Sequence, residues 1–226
     1  MSSTPAQSYV VVVLTGGASR RMGSHKPTLE LAGRPLVARV LEAAGPHPAL
    51  VVGPGQGVPD GVPVVMERVP GGGPVSGIAY AVEAVRAGVT QVPGAPQPDA
   101  VVVLAADLPF VTSEHVERLV AALGPADHAD LADGADRADH AHRPDLAVTV
   151  DADGRTNWLC AAWRTDALHA RLAELGDVAD AYGRSMRELC GGIRTVLVDD
   201  PDGLATDVDT PADLEHARAR AQRPRD

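Results

Sequence analysis

Short, continuous apolar runs recur along the chain and predict buried β-strands. The first is Tyr9 to Leu14, which is rich in β-branched residues and leads into Gly16-Gly17. Ala100 to Ala106 is the most strongly apolar run of the chain, and the runs at 50–52 and 62–66 are shorter. Runs without polar alternation are typical of a parallel sheet that is covered by helices on both faces.

Between these runs, apolar residues recur at the three- and four-residue spacing of helices. The segment Pro35 to Ala44 has Pro at its start and Gly45 after its end, as helix boundaries often do. A helix through Val116 to Leu123 has Thr112 or Ser113 as its N-cap. The same reasoning predicts helices over Ile78–Ala87 and Tyr182–Leu189, and a last one that starts at Thr210-Pro211.

The second half of the chain contains strands of a different kind. Leu146 to Val150 alternates in polarity, Asp151 to Gly154 has the composition of a hairpin turn, and Thr156 to Trp163 forms the returning strand. Ile193 to Val198 predicts a late strand. We therefore predict an α/β fold with a doubly wound, mostly parallel sheet and a small antiparallel extension.

Residues 125–144 interrupt this order with a segment rich in Ala, Asp and His. His128, His140 and His142 stand among aspartates, which is compatible with a metal site. The spacing is irregular and the segment lacks apolar residues to anchor it, so we favour a solvated, flexible insertion. We expect residues 1–226 to form a single domain that carries this insertion.

Length and charge narrow the class of protein. The chain has 226 residues, 45% of them hydrophobic, which is enough for one sizeable globular domain and short for two. Its formal net charge of −10 argues against a general nucleic-acid or anionic-membrane surface. Two cysteines are too few for a disulfide framework, and no apolar run approaches the roughly 20 residues of a membrane span. We expect a cytoplasmic protein without a signal peptide.

The loop after the first strand carries the clearest chemistry. It combines glycines, which let backbone N–H groups approach an anion, with fixed cations. Its spacing fits neither a Walker A loop nor the dinucleotide-binding fingerprint. A phosphate-binding loop is the favoured interpretation, and a plain glycine-rich turn with solvated arginines is the alternative. The residues concerned are Thr15, Gly16, Gly17, Ser19, Arg20, Arg21, Gly23 and Lys26.

Asp107 directly follows the apolar run 100–106. A carboxylate at this position lies at the carboxyl edge of the sheet, where open α/β folds bind their ligands. Because burying it unpaired would cost on the order of several kcal/mol, we expect a cation nearby. The alternative is that Asp107 caps the following helix, but Thr112 and Ser113 are better placed to do so.

The segment from Leu14 to Lys26 closely resembles a signature, L-x-G-G-x-S-x-R-M-G-x-x-K, of the nucleotidyltransferases that activate sugar phosphates, polyol phosphates and molybdopterin. It is most similar to the molybdenum cofactor guanylyltransferases. One departure is His25, where many members carry Asp before the lysine. Three later segments resemble family motifs in the same order: Gly73 to Gly77 after Glu67, Asp107 to Phe110, and Asp207 to Leu214.

This resemblance implies a Rossmann-like nucleotidyltransferase that moves a nucleoside monophosphate from an NTP to a phosphorylated acceptor and releases pyrophosphate. It implies GTP as the nucleotide, molybdopterin as the acceptor, Mg²⁺ as the cofactor, and transient contact with molybdoenzyme maturation proteins. By the same resemblance, Arg21, Lys26 and Asp107 are catalytic, and Asp107 and Asp209 hold the metal. The nucleotide contacts that it implies are Leu14, Thr15, Gly16, Gly17, Lys26, Glu67 and Asp107.

The base and the acceptor stay open at this point. CTP is a rival of GTP, a sugar or other small phosphate is a rival acceptor, and a catalytically silent nucleotide-binding protein is the alternative from another class. Many guanylyltransferases have Asn where this chain has Asp207 and Asp209.

The acceptor side has its own candidate residues. The segment from Asn157 to Arg164 is similar to the family's Q-P-L-C-A-x-Y-R segment, which shapes that side of the cleft, with Trp158 in place of Pro. We expect Trp163 to be a core residue. Arg184 and Arg187 are candidate contacts for an anionic acceptor, although surface cations of this kind are more often only solvated.

Overall fold

The computed structural model of the chain describes residues 7–16, 28–90, 96–125 and 143–222. The strands in these ranges are β1 (Tyr9–Leu14), β2 (Glu30–Leu31), β3 (Arg34–Pro35), β4 (Ala49–Val52), β5 (Val64–Val65), β6 (Ala100–Ala105), β7 (Leu146–Asp151), β8 (Thr156–Arg164) and β9 (Thr195–Asp200). The helices are α1 (Leu36–Glu42), α2 (Gly73–Arg86), α3 (Ser113–Ala122), α4 (Thr165–Leu175), α5 (Met186–Cys190) and α6 (Pro211–Ala221).

Within the described ranges, seven strands form one sheet in the order β5-β4-β1-β6-β8-β7-β9. The four strands β5, β4, β1 and β6 run parallel to one another. Strand β8 is antiparallel to both β6 and β7, and β9 is parallel to β7. Strands β2 and β3 form a separate antiparallel pair. The predicted fold class, a mostly parallel α/β sheet with an antiparallel extension, is confirmed.

Strand β1 shows why the sheet is covered on both faces. All six of its residues are buried, and alternate residues face opposite layers. Val11 and Val13 pack in a cluster with residues of α1 and α3, whereas Val10 and Val12 pack in a second cluster with residues of α2 and α4. An apolar run without polar alternation therefore matches a strand at the centre of two hydrophobic layers.

Several element boundaries differ from the prediction. Helix α2 begins at Gly73, five positions before the predicted start at Ile78, with a proline in its first turn. The predicted helix Tyr182–Leu189 is wrong in its first half, because Gly183 has a φ of +76° and the helix begins only after Ser185. Ser185 and Glu188 form a capping box there. Helix α4 and the β2–β3 pair were not predicted at all.

The predicted insertion falls largely on residues 126–142, which lie outside the described ranges together with His128, His140 and His142. Its two flanks meet at the side chain of Arg164, which is 6% exposed. The Arg164 guanidinium donates to the carbonyl oxygens of Pro144 at 3.0 Å and Pro125 at 3.3 Å, and also to that of Leu123. One buried cation thus joins both ends of the segment.

Among the described residues, no helix combines the length and apolar composition that crossing a bilayer requires.

Candidate active site

The candidate site lies at the edge of the sheet where β1, β4, β5 and β6 end. Parallel strands bring their carboxyl ends to the same edge, and backbone hydrogen bonds continue this alignment past the strands. Ala106 N–H donates to Leu14 C=O at 3.0 Å, and Thr15 N–H donates to Val52 C=O at 2.9 Å. The residues after β1 are therefore held between those after β4 and β6.

Thr15 is used to build this edge. Its hydroxyl lies 2.8 Å from Pro54 C=O and 3.2 Å from Val52 C=O, and the residue is buried. Its N–H and its hydroxyl are therefore both engaged with the segment after β4. The sequence resemblance implied Thr15 as a nucleotide contact, and that prediction stays open; the structure shows that these hydrogen bonds to Val52 and Pro54 hold Thr15, and with it Gly16, at the end of β4.

Gly53 allows the two segments to approach so closely. It has a φ of +109°, which favours glycine, and a β-carbon on it would lie 2.7 Å from both Gly16 N and Thr15 Oγ1. Sequence reasoning did not single out Gly53. The Gly53-Pro54 pair directly after an apolar run is the feature that could have identified it.

Glu67 lies on the other side of Gly16. It follows β5 by two positions, and its Oε2 would be 3.4 Å from a β-carbon at position 16. Its Oε1 is buried and has no hydrogen-bond partner among the described residues. Glu67, which the sequence resemblance implied as a nucleotide contact, therefore has its carboxylate beside Gly16.

The segment Gly73 to Gly77, which lies before the predicted helix Ile78–Ala87, is the first turn of α2. Gly77 faces the end of β1, because a β-carbon there would lie 3.2 Å from a methyl group of Leu14. The glycine therefore lets the helix pack closely on the strand that precedes the glycine-rich loop.

Asp107 and Asp209, which are far apart in the sequence, are brought to one place. Val208 N–H donates to Asp107 C=O at 3.0 Å, and Asp209 is the next residue. Both aspartates are only partly exposed. The structure therefore sets the segment before α6 beside the segment after β6, as a shared role of the two carboxylates requires.

A small hydrophobic cluster holds Val208 in this position. Thr210 caps α6 and forms a capping box with Asp213, whose pKa is lowered by hydrogen bonds from the Thr210 hydroxyl and backbone. At its margin the cluster includes Leu29, from the segment that follows Lys26, and Phe110, from the segment that follows Asp107. Its buried members are Leu31, Leu36, Val208, Leu214 and Ala217.

Asp200 fixes the loop that leads to Asp207, and sequence reasoning missed it. This residue is 2% exposed, and its carboxylate accepts hydrogen bonds from Leu204 N–H at 2.8 Å and Ala205 N–H at 2.7 Å. The turn sequence Asp-Pro-Asp-Gly at 200–203 could have indicated it, since Asp side chains often bond backbone groups a few residues on.

The remaining predicted residues have different outcomes. Gly17, Arg21 and Lys26 lie outside the described ranges. Trp163 is fully buried, which confirms its predicted core position. Arg184 forms an ion pair with Glu188 at 3.1 Å and donates to Asp180 C=O, so it supports the start of α5.

Neither cysteine has the environment of a nucleophile. Burial raises the pKa of the Cys160 thiol to about 12 and that of Cys190 to about 11, so both thiols stay protonated near neutral pH.

In the described part of the chain, no group of three or more His, Cys, Asp or Glu side chains could hold a metal ion.

Gly16 follows β1, and the carboxylate residues Glu67 and Asp107 follow β5 and β6. All three lie at the carboxyl edge of a mostly parallel sheet, where α/β proteins of the nucleotide-binding class bind their ligands. The chain belongs to the MobA-like NTP transferase domain family, whose profile matches residues 11–194.

Individual proteins that are similar to this chain have names that match this family. A molybdenum cofactor guanylyltransferase of Rhodobacter capsulatus is 32% identical over 92% of this chain and 94% of its own length. A probable molybdenum cofactor guanylyltransferase of Mycobacterium bovis (strain BCG / Pasteur 1173P2) is 31% identical over 83% of each chain. The fold is similar to that of the molybdopterin-guanine dinucleotide biosynthesis protein A of Archaeoglobus fulgidus, with a TM-score of 0.64, 20% identity, and coverage of 93% of this chain and 97% of the other.

Proposed function

We propose that this protein transfers GMP from GTP to the phosphate of molybdopterin and releases pyrophosphate. The proposal is supported by the guanylyltransferases that match most of the chain at about one-third identity. The observation that carries it is the hydrogen bond from Val208 N–H to Asp107 C=O, which brings two carboxylate residues to the edge where the glycine-rich loop begins.

In the reaction, an oxygen of the acceptor phosphate attacks the α-phosphorus of GTP. The bond between the α-phosphorus and the oxygen that bridges to the β-phosphorus breaks, and pyrophosphate leaves with that electron pair. The protein needs no nucleophile of its own. Its task is to align the two phosphates and to stabilise the charge that develops on their oxygens.

We assign the triphosphate to the glycine-rich loop. Gly16 and Gly17 let the backbone approach the phosphates, while Arg21 and Lys26 supply positive charge. Lys26 is the only lysine in the chain. A protein with a net charge of −10 requires such local cations to bind a polyanion.

Asp107 and Asp209 would hold a Mg²⁺ ion. Two carboxylate residues on adjacent segments suit this ion, since Mg²⁺ is commonly bound by one or two carboxylates together with substrate phosphates and water. Bound there, it would neutralise charge on the phosphate oxygens. Thr210 and Asp213 would keep Asp209 in place through the capping box at the start of α6.

We assign the guanine base to Glu67. A buried carboxylate oxygen without a partner among the described residues is costly, and a ligand N–H group would relieve that cost. Guanine presents two N–H donors on one edge, whereas the corresponding edge of cytosine presents one donor and two acceptors. A carboxylate therefore favours guanine over cytosine.

The direct test is an anaerobic assay of the purified protein with GTP, CTP or ATP and with molybdopterin or a sugar 1-phosphate as acceptor. We expect pyrophosphate release and a guanine dinucleotide product only with GTP and molybdopterin. The variant Lys26→Ala should lose about 10- to 100-fold in activity, because a charge-assisted phosphate contact is removed. Absence of product with GTP and molybdopterin would overturn the proposal, and product formation with CTP instead would establish cytidylyl transfer.

A further inference from the structure

Strand β8 contains a bulge of three residues opposite β7. Val148 pairs with Ala161, but the next residue, Thr149, pairs with Asn157, so Trp158, Leu159 and Cys160 have no partner positions on β7. Bulges of this kind redirect a side chain out of the regular alternation of a strand. Here, Trp158 is 37% exposed, whereas Trp163 on the regular part of the same strand is fully buried.

Hydrogen bonds hold this bulge in one conformation. The Thr149 hydroxyl donates to Cys160 C=O at 2.9 Å, and Leu159 N–H donates to the Asn157 side-chain oxygen at 3.0 Å. The Asn157 side-chain N–H donates to Ala205 C=O at 2.9 Å, which ties the bulge to the loop before Asp207. The position of Trp158 is therefore set by side chains rather than by a flexible loop.

Trp158 faces a cavity of about 530 Å³ that lies between the bulge and this loop. A volume of this size is in the range of small-molecule sites. The lining includes apolar side chains and carboxylates, among them Trp158, Leu159, Met186, Asp200 and Asp207. Asp207 is two residues before Asp209, so the cavity adjoins the proposed reaction centre.

The order of the strands separates this cavity from the proposed base site. Glu67 follows β5 at one edge of the sheet, and the bulge is in β8, on the far side of β4, β1 and β6. The glycine-rich loop follows β1 and Asp107 follows β6, so the phosphates would lie between the two sites. Of the two substrates, the nucleotide is thus assigned to one side and the acceptor to the other.

We infer that Trp158 is a stacking platform for the heterocycle of the acceptor and determines the acceptor specificity of this protein. The inference rests on the proposed function. A pterin ring system has a flat π-face that stacks well on an indole, and its ring N–H groups suit the Asp151 and Asp207 carboxylates in the cavity lining. A simple sugar phosphate has no aromatic face, so Trp158 favours a pterin over it.

Kinetics with substituted proteins test this inference. Trp158→Ala should raise KM for molybdopterin about tenfold, while KM for GTP stays within about twofold, because stacking is lost only for the acceptor. Trp158→Phe should restore most of the affinity for molybdopterin, since it keeps an aromatic face. The matched control is Leu197→Ala, which removes another exposed apolar side chain, on the edge strand β9, and should change neither constant.

Fluorescence of the unsubstituted protein provides a second readout that needs no turnover. Acrylamide should quench Trp158 and leave the buried Trp163 shielded, so the accessible emission reports on Trp158. Molybdopterin should protect this emission, and GTP should not. Protection by GTP alone, or an unchanged KM for molybdopterin in Trp158→Ala, would overturn the inference.

The two proposals fail in different ways. If the unsubstituted protein transfers no nucleotide but molybdopterin still protects Trp158, the proposed reaction is wrong, and the assignment of Trp158 to a pterin-binding site stands. If transfer to molybdopterin occurs and Trp158 is neither protected nor needed, only the role of Trp158 is overturned.

Discussion

The N–H of Val208 donates a 3.0 Å hydrogen bond to the carbonyl oxygen of Asp107, which makes Asp209 a neighbour of the segment that follows the central strand β6. If the two carboxylates share one Mg²⁺ ion, Asp107→Asn and Asp209→Asn should each lower kcat/KM for GTP about tenfold or more, with Asp107→Asn the more severe. The double variant should be little worse than Asp107→Asn alone, because both changes act through one ion.

The measurement is a Mg²⁺ titration of pyrophosphate release for the two single variants and the double variant. Asp153→Asn, an exposed aspartate in the β7–β8 turn, serves as the control and should behave like the parent. Losses that simply add, or an Asp209→Asn variant that matches the parent at limiting Mg²⁺, would contradict a shared ion.

Replacing the Glu67 carboxylate should change base selection. Glu67→Gln retains one acceptor but loses the negative charge, so kcat/KM for GTP should fall about 10- to 100-fold and the ratio of GTP to CTP activity should shrink. The comparison uses both nucleotides at saturating acceptor. Glu117→Gln, on the exposed side of α3, is the matched control. An unchanged ratio of the two activities would show that Glu67 does not contact the base.

A side chain at Gly53 should destabilise the protein and the loop together. Gly53→Ala adds a β-carbon 2.7 Å from Gly16 N and Thr15 Oγ1, so the loss should combine positive-φ strain of about 1–2 kcal/mol with an overlap cost of about 1–3 kcal/mol. Gly61→Ala is the control, since its φ is +85° but nothing lies within 4 Å of the added carbon. Urea unfolding of both variants measures the difference, and equal losses would show that the overlap is relieved without cost.

Residues 126–142 should be dispensable for the fold. Arg164 contacts the carbonyl oxygens of Pro125 and Pro144, so a short Gly/Ser linker can close the gap at small entropic cost. The deletion should leave the urea midpoint and the turnover close to those of the parent. Arg164→Ala should instead cost about 2–4 kcal/mol, because several carbonyls lose a buried, charged donor. A large loss of activity in the deletion variant would assign a role to its histidines and aspartates.

His115 should make the protein less stable in mild acid. The Thr149 hydroxyl donates to Cys160 C=O, so His115 Nε2–H donates to Thr149 Oγ1 at 2.8 Å and the proton-free Nδ1 is buried without a partner among the described residues. Burial lowers the His115 pKa; nearby Asp200 opposes this shift and Arg118 adds to it.

The unfolded chain, in which His has its usual pKa of about 6.5, therefore binds this proton more readily than the folded one. Stability is complete above pH 6.5 and is lost as the pH falls through the lowered pKa. Melting curves from pH 7.5 to 5 should show a smaller pH-dependent loss for His115→Leu than for the parent. His169, whose pKa is also lowered, is common to both proteins and does not affect the comparison. Parallel pH dependence of the two proteins would contradict this role of His115.

Local features of the chain were sufficient to predict most of its elements. Strands β1 and β6 were found because their residues are continuously apolar, and the cap at Thr112 was found because a Thr side chain satisfies a free helical N–H. The start of α2 was missed because Gly73 to Gly77 looks like a loop, although Pro74 suits a first helical turn and Val75 and Ile78 are buried.

The candidate site was predictable as a set of residues but not as an arrangement. Glu67, Asp107 and Asp209 were named from their positions beside strands and within motifs. The hydrogen bonds of the Thr15 hydroxyl to Val52 C=O and Pro54 C=O could not be predicted, because they depend on how closely Gly53 approaches Thr15. The bulge at Trp158 could not be predicted either, because hydrogen bonds from Thr149 and to Ala205, both outside β8, hold it.

The sequence by itself determined the class of fold and the family, because short apolar strands, glycine-rich turns and capping residues act within a few positions of the chain. Only the tertiary structure decided that Val208 meets Asp107, that Glu67 lies beside Gly16, and that the exposed Trp158 lines a cavity next to Asp207. Each of these relationships joins residues that are far apart in the chain. They form because burying the β-sheet and the cluster around Leu31 and Leu214 brings distant segments to one edge, which no local pattern encodes.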